Sequence, residues 1–359
     1  MLDFITETTT VWEFLRTTER PLVLYGMGNG ADKILMQLAA LGKKPAGIFA
    51  SPEFVRGQSF HGLTVQTYEA LRQQLGDFVI VLAFASQRPE VLACFYELAA
   101  AHTVVAPHVP VFAGDEVATP ALLQEQKEKI ELVYRRLADD QSRQVLAGAL
   151  NYKLSGKISY LEKITTARRD DLQLLALGRQ EVYVDGGAYN GDTVQEFLDL
   201  TGGSYVQIYA CEPDARNFKK LQAAVRDKNW ERVQCVPRGL WSASGTLDFS
   251  ATSGRQAALL TELGPAPKAV PVPVTSLDEL LGTEQATYIK LDVEGAELPV
   301  LQGAKRQLAG RPKLFLAAYH HDRDLWEIPL ALWALQPDYQ IYLRKHPYVP
   351  DWELNFLAI

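Results

Sequence analysis

Short apolar runs alternate with amphipathic stretches through most of the chain, the pattern of strands followed by crossover helices. Leu22 to Gly28 (LVLYGMG) reads as a buried strand ending in glycines. ADKILMQLAALG reads as the helix after it, closed by Gly42, where a positive-φ cap is expected. PAGIFA, FVIVLAFA and HTVVAP read as further strands and PEVLACFYELAA as a helix, which together predict a parallel sheet with helices packed on it. Between about Pro120 and Gly178 the strand signals vanish. The residues there are good helix formers, Leu132, Leu137 and Leu146 mark an apolar stripe, and Asp140 followed by Gln141-Ser142-Arg143 looks like a cap between two helices. From Gln180 onward the alternation resumes, with strands expected at EVYVDGG, VQIYACEP, RVQCVPRGL, ATYIKLD and KLFLAAYHH. YQIYLRK and WELNFLAI then close the chain as a pair of strand-like runs joined by HPYVPD. The expected fold class is α/β: a Rossmann-like domain over 1–118, a helical connector over 119–178, and a larger Rossmann-like domain over 179–359 ending in an antiparallel hairpin.

With 359 residues the chain is too long for one typical core, in keeping with two domains. A formal net charge of −7 leaves no basic footprint for nucleic acid, whose phosphates would be repelled, so a small or neutral substrate fits better. Three cysteines without a CxxC or a His/Cys cluster at zinc spacing suit a reducing compartment. No apolar run approaches the ~20 residues a spanning helix needs, and the start lacks a signal-peptide pattern. A soluble, cytoplasmic protein is expected, with homo-oligomerisation left open.

The richest local signal is VYVDGGAYNGDTVQEFL, a strand, a D-x-G-x-x-x-G turn and the start of a helix. Gly187 lets backbone approach a ligand that a side chain would keep away. Asp185 is expected at the carboxyl end of its strand, where open α/β sheets bind ligands. A carboxylate there can hold the amino group of the methionine part of S-adenosylmethionine, whereas it would repel the pyrophosphate of NAD. Glu212, in YACEPD, lies 27 positions after Asp185, near the ~20-residue spacing at which an acid takes ribose hydroxyls. The expected cofactor site is therefore Asp185, Gly187, Asn190, Gly191, Asp192, Thr193, Glu212 and Pro213.

Farther along, YIKLDVEGAELPVLQGAKRQL contains Lys290, Asp292, Val293, Glu294, Gly295, Ala296, Glu297 and Gly303-Ala304. This segment resembles the FkbM family of methyltransferases, and VDGGAYNGDTV resembles that family's cofactor loop. The likeness covers roughly residues 120 to 359. It implies S-adenosylmethionine binding and methyl transfer, commonly to a hydroxyl of a sugar or other natural-product scaffold. A sugar or nucleotide-sugar is the acceptor class it suggests, and the closing strand pair is the usual finish of class I methyltransferases.

Asp292 is expected at the end of a strand beside the cofactor strand. It would orient the acceptor hydroxyl or ligate a divalent metal that acidifies it. Glu294 and Glu297 open the next helix, where each would stabilise its N-terminus by ~0.3–1 kcal/mol. His320 and His321 end LFLAAYHH. On a strand, adjacent residues face opposite ways, so one of them is expected to aim into the site as general base, with His321 favoured. Trp241, Tyr319 and Trp326 suit either aromatic walls or core.

In the N-terminal domain, Gly26-Met27-Gly28-Asn29-Gly30-Ala31 satisfies G-x-G-x-x-A, but no acid follows the second strand at the expected place. A scaffold or substrate-recruiting module is expected there rather than a redox domain. Two alternatives to methyl transfer remain at this level: a non-catalytic nucleotide-sugar-binding module and an NAD(P)-dependent oxidoreductase.

Overall fold

The computed structural model describes residues 2–112, 115–249 and 270–359. Two compact units emerge, and their boundaries do not follow chain order. The first comprises Met1–Glu131, Arg143–Thr166 and Lys345–Glu353; the second comprises Leu132–Ser142, Ala167–Arg344 and Leu354–Ile359. The stretch expected to be a connector therefore contributes to both units. A cut near Pro120, which by sequence order would separate two halves, passes through the first unit. Among the described residues no helix is long and apolar enough to cross a membrane.

The first unit is built on a six-stranded sheet in the order β3-β4-β2-β1-β5-β6, with β1 at Leu22–Tyr25, β2 at Gly47–Phe49, β3 at Ser59–Phe60, β4 at Leu63–Gln66, β5 at Val79–Leu82 and β6 at Thr103–Val105. All neighbours are parallel except β3 and β4, whose short hairpin at the edge carries too few apolar positions to be recognised in the sequence. The helix Asn29–Ala40 ends as expected: Gly42 takes φ +68° and its neighbour Lys43 donates to the Leu38 carbonyl. Ile34, Leu38, Leu24, Val81 and Val105 are among the residues of its core. Ser51 follows β2 with its Oγ 2.9 Å from the Tyr25 hydroxyl, and Glu53 lies in a short 3-10 turn.

Residues 345–353 complete this unit with a buried polar cluster. Lys153 Nζ lies 2.6 Å from Asp351 Oδ2, and His108 Nδ1 lies 3.1 Å from Asp351 Oδ1. Lys345 is fully buried and its Nζ donates to the Tyr348 carbonyl at 2.9 Å. Burial pushes the Lys345 pKa down to about 7, against the raising charges of Asp351 and Glu353. Because the unfolded lysine holds its proton far more tightly, the penalty is complete below pH ~7 and is relieved as pH rises toward ~10. Stability should therefore rise across that window by an amount on the order of a few kcal/mol. Urea denaturation at several pH values should find this slope in the native chain and find it reduced in Lys345→Met.

The second unit carries a seven-stranded sheet in the order β15-β16-β14-β13-β7-β8-β9. Its strands are β7 at Val182–Gly186, β8 at Gln207–Cys211, β9 at Val233–Val236, β13 at Tyr288–Leu291, β14 at Lys313–Ala317, β15 at Ile341–Lys345 and β16 at Leu354–Ala358. The strands from β9 to β14 run parallel, and β16 is antiparallel to β14. Gln340 and Ile359 exchange backbone hydrogen bonds of 2.9 and 3.1 Å beside the final pair. This is the Rossmann-like α/β arrangement with an antiparallel ending that the hydrophobic pattern predicts. Tyr183 stacks on Phe197 and Tyr288 at centroid distances of 4.5 and 4.7 Å, joining two neighbouring strands to the helix Asp192–Thr201.

A smaller sheet in the order β10-β12-β11 adds Gly239–Leu240, Gly245–Phe249 and Val270–Thr275, respectively β10, β11 and β12. The apolar pattern fails to announce β12 because Pro271 and Pro273 interrupt it, and proline cannot donate to a ladder. The cap between the helices Lys127–Arg136 and Asp140–Ser155 is Asp139 rather than Asp140. Its Oδ1 accepts from the backbone N–H of Ser142 at 2.7 Å. Arg344, buried on β15, ties this corner down by contacting Asp139 at 2.6 Å and Asp171 at 3.0 Å.

Candidate functional site

Chain order and sheet order part company between β7 and β13. The chain leaves β7 toward β8 and β9 on one side and returns to β13 and β14 on the other. Crevices at such a switch point, at the carboxyl ends of the strands, are where open α/β sheets bind ligands. The expected residues follow those strand ends: Asp185 on β7, Glu212 after β8, Asp292 after β13 and His320 after β14.

The loop after β7 is held from within. Gly187 has φ +76°, and a Cβ there would stand 2.0 Å from the Asp292 carbonyl oxygen, so only glycine fits. Gly191, also at positive φ, caps the helix Asp192–Thr201, while Asn190 accepts from the Asp192 N–H at 3.2 Å. Asp192 is exposed and accepts from the Thr193 N–H at 2.9 Å.

Asp185 and Lys290 are register partners on adjacent parallel strands, so their side chains rise on the same side of the sheet. Lys290 Nζ lies 3.2 Å from Asp185 Oδ1 and donates to the carbonyls of Gly186 and Gly187 at 3.1 and 2.9 Å. Burial alone would lower the lysine pKa, but the charges of Asp185 and Asp292 outweigh it and hold it above the ordinary value. Thr193 donates to Asp185 Oδ2 at 2.5 Å. With no exposed surface, Asp185 braces the loop from behind, which fits poorly with the expectation that it meets the cofactor's amino group directly. Lys290, expected only as part of a motif, is the centre of this arrangement.

Glu212 is 6% exposed and accepts from the backbone N–H groups of Tyr189 and Asp214, at 2.8 and 2.9 Å on opposite oxygens. Burial raises its pKa, against the lowering effect of those two donors. Each oxygen retains a lone-pair direction for a ligand hydroxyl. Pro213 follows it, ahead of the helix Ala215–Asp227, for which Asp214 is the N-cap.

On the other side, β14 ends at Ala317, so Tyr319, His320 and His321 lie beyond the strand and strand alternation does not govern where they point. His320 is the residue whose ring meets Asp292: its Nε2 lies 3.5 Å from Asp292 Oδ1 and 3.7 Å from Glu294 Oε2, while Nδ1 lies 3.1 Å from Glu297 Oε1. The preference for His321 beside Asp292 therefore moves to His320. The backbone N–H of His321 donates to Asp324 at 2.8 Å. Burial would lower the His320 pKa, but Glu297, Asp292 and Glu294 push it up to about 10. Burial and the Glu297 charge push Asp324 up to about 8. Tyr319 donates its hydroxyl to Asp292 Oδ1 at 3.0 Å, Trp326 is buried, and Trp241 hydrogen-bonds through its backbone to Thr275. Glu297 opens its helix as expected, accepting from the Val293 N–H at 2.9 Å, but its contact with His320 adds a second role.

Residues 185–347 match the family model described as "Methyltransferase FkbM domain". Among solved structures, the chain is similar to methyltransferase FkbM from Methylobacillus flagellatus KT, at 21% identity and a TM-score of 0.75, covering 100% of this chain and 96% of that one. A putative rRNA methylase from Clostridium thermocellum matches at 8% identity and a TM-score of 0.35, over 53% of this chain and 90% of that one. No curated protein matches the sequence.

Proposed function

We propose, on the match of residues 185–347 to the FkbM methyltransferase domain model, that the chain moves the methyl group of S-adenosylmethionine to a hydroxyl of a carbohydrate or related small acceptor. The observation that carries this reading is the crevice itself, with a glycine loop and the buried Glu212 on one side and the half-open Asp292 on the other. The donor set suits the cofactor. Each Glu212 oxygen, already accepting one backbone N–H, keeps a further lone-pair direction for a ribose diol, Gly187 offers backbone without a side chain, and the surrounding carboxylates favour a cationic sulfonium. The cofactor supplies an electrophilic methyl group. This chain's residues orient the acceptor and receive its proton. Asp292, 35% exposed and steadied by Tyr319, is the group that meets the acceptor hydroxyl, and His320 positions it from behind.

Calorimetry with S-adenosylhomocysteine, followed by a panel of sugar and nucleotide-sugar acceptors, tests the reading. Failure to bind S-adenosylhomocysteine would end it. Glu212→Ala should weaken that binding by ~1.5–3 kcal/mol, the value of a charge-assisted hydrogen bond, or roughly 10- to 150-fold. Unchanged affinity would remove Glu212 from the ribose site.

A further inference from the structure

We propose that Asp292, Glu297 and His320 form a binding site for a divalent cation of the magnesium–manganese class, on the acceptor side of the crevice. Each of the three offers one ligand atom, and these atoms lie within 4.8 Å of one another. Two carboxylate oxygens and an imidazole nitrogen suit a hard to borderline cation that keeps further positions for water or an acceptor oxygen.

The second observation comes from the buried wall of the cluster. Glu297 is 1% exposed, and its Oε2 has no hydrogen-bond partner. His320 is 3% exposed, and its Nδ1, although 3.1 Å from Glu297 Oε1, is not aligned to hydrogen-bond with it. Buried polar atoms are ordinarily satisfied, so an unsatisfied carboxylate oxygen and an unsatisfied ring nitrogen within one cluster mark a missing electrophile. Charge points the same way. Asp292, Glu294 and Glu297 surround a single imidazole that offsets at most one of their charges. The opposite wall gives access, since the side chains of Asp292 and Glu294 are 35% and 56% exposed. Bonds of ~2.1 Å hold ligands at most about 4.2 Å apart, so binding draws the cluster in slightly, a movement the half-exposed Asp292 can make.

The cation's use in activating a hydroxyl rests on the methyl-transfer reading, but the site itself does not. The test titrates Mn2+ and Mg2+ into the chelator-treated full chain, following heat and the loss of the free Mn2+ paramagnetic signal. One Mn2+ per chain is expected, with affinity reduced about tenfold or more in Asp292→Asn and in Glu297→Gln. Asp292→Asn is the decisive variant because its half-exposed side chain can change without unfolding the core. Absence of saturable binding overturns the site. Affinity unchanged by Asp292→Asn overturns it equally. A parallel titration with S-adenosylhomocysteine separates the two proposals: cation binding without it sinks the transfer reading alone, and the reverse result sinks the cation site alone.

Discussion

Lys290→Met is expected to destabilise the second unit by about 3–5 kcal/mol, because it strands the Asp185 carboxylate in a place without water. The two side chains are register partners 3.2 Å apart, and neither has appreciable exposure. The same substitution removes the donors that hold the Gly186 and Gly187 carbonyls, so affinity for S-adenosylhomocysteine should fall as well. Adding Asp185→Asn should recover part of the stability, since the uncompensated charge goes with it, but not the affinity, which needs the loop. Urea denaturation of both variants checks this. A loss below about 1 kcal/mol in Lys290→Met would mean the pair is hydrated and the brace unimportant.

Asp292→Asn and His320→Ala should each lower the rate of methyl transfer by about 10²–10⁴-fold while leaving affinity for S-adenosylhomocysteine within about twofold. The separation is expected because Asp292 faces the proposed acceptor side of the crevice and His320 positions it, whereas Gly187 and Glu212, the residues proposed for the cofactor, follow β7 and β8. Single-turnover rates and calorimetry on the same preparations read the two quantities. His321→Ala belongs in the series: a loss as large as that of His320→Ala would give His321 a part in the transfer step, and a full rate would remove it from the site. Equal loss of rate and cofactor affinity in Asp292→Asn would mean that the variant disturbs the Gly187 loop, whose Cα packs against the Asp292 carbonyl.

What was legible in the sequence was local. The strand, glycine turn and helix from Val182 to Leu198 are written in consecutive residues, and so is the acid at the end of β8. What the sequence does not display depends on residues far apart. The Lys290–Asp185 pair exists because β13 and β7 run side by side in one register, which neither segment states alone. Strand alternation would set the two histidines on opposite faces, but β14 stops at Ala317 and the following backbone turns them otherwise. Prolines concealed β12, and the Gly-Asp-Thr start of one helix was easier to read than the Asp139 cap of another.

The interleaving of the two units bears on how the chain matures during synthesis. Domains of a growing polypeptide usually fold in order, the earlier one closing before the later one emerges. Here the first unit needs Lys345–Glu353, which carry Asp351, the partner of both Lys153 and His108. The ribosome must therefore make nearly all of the second unit before the first can be completed. Until then Lys153, which has no exposed side-chain surface in the finished fold, lacks its counter-charge. The six strands of the first sheet lie within residues 22–105 and can pair among themselves early, but the buried polar cluster beside them closes only when Asp351 has been made.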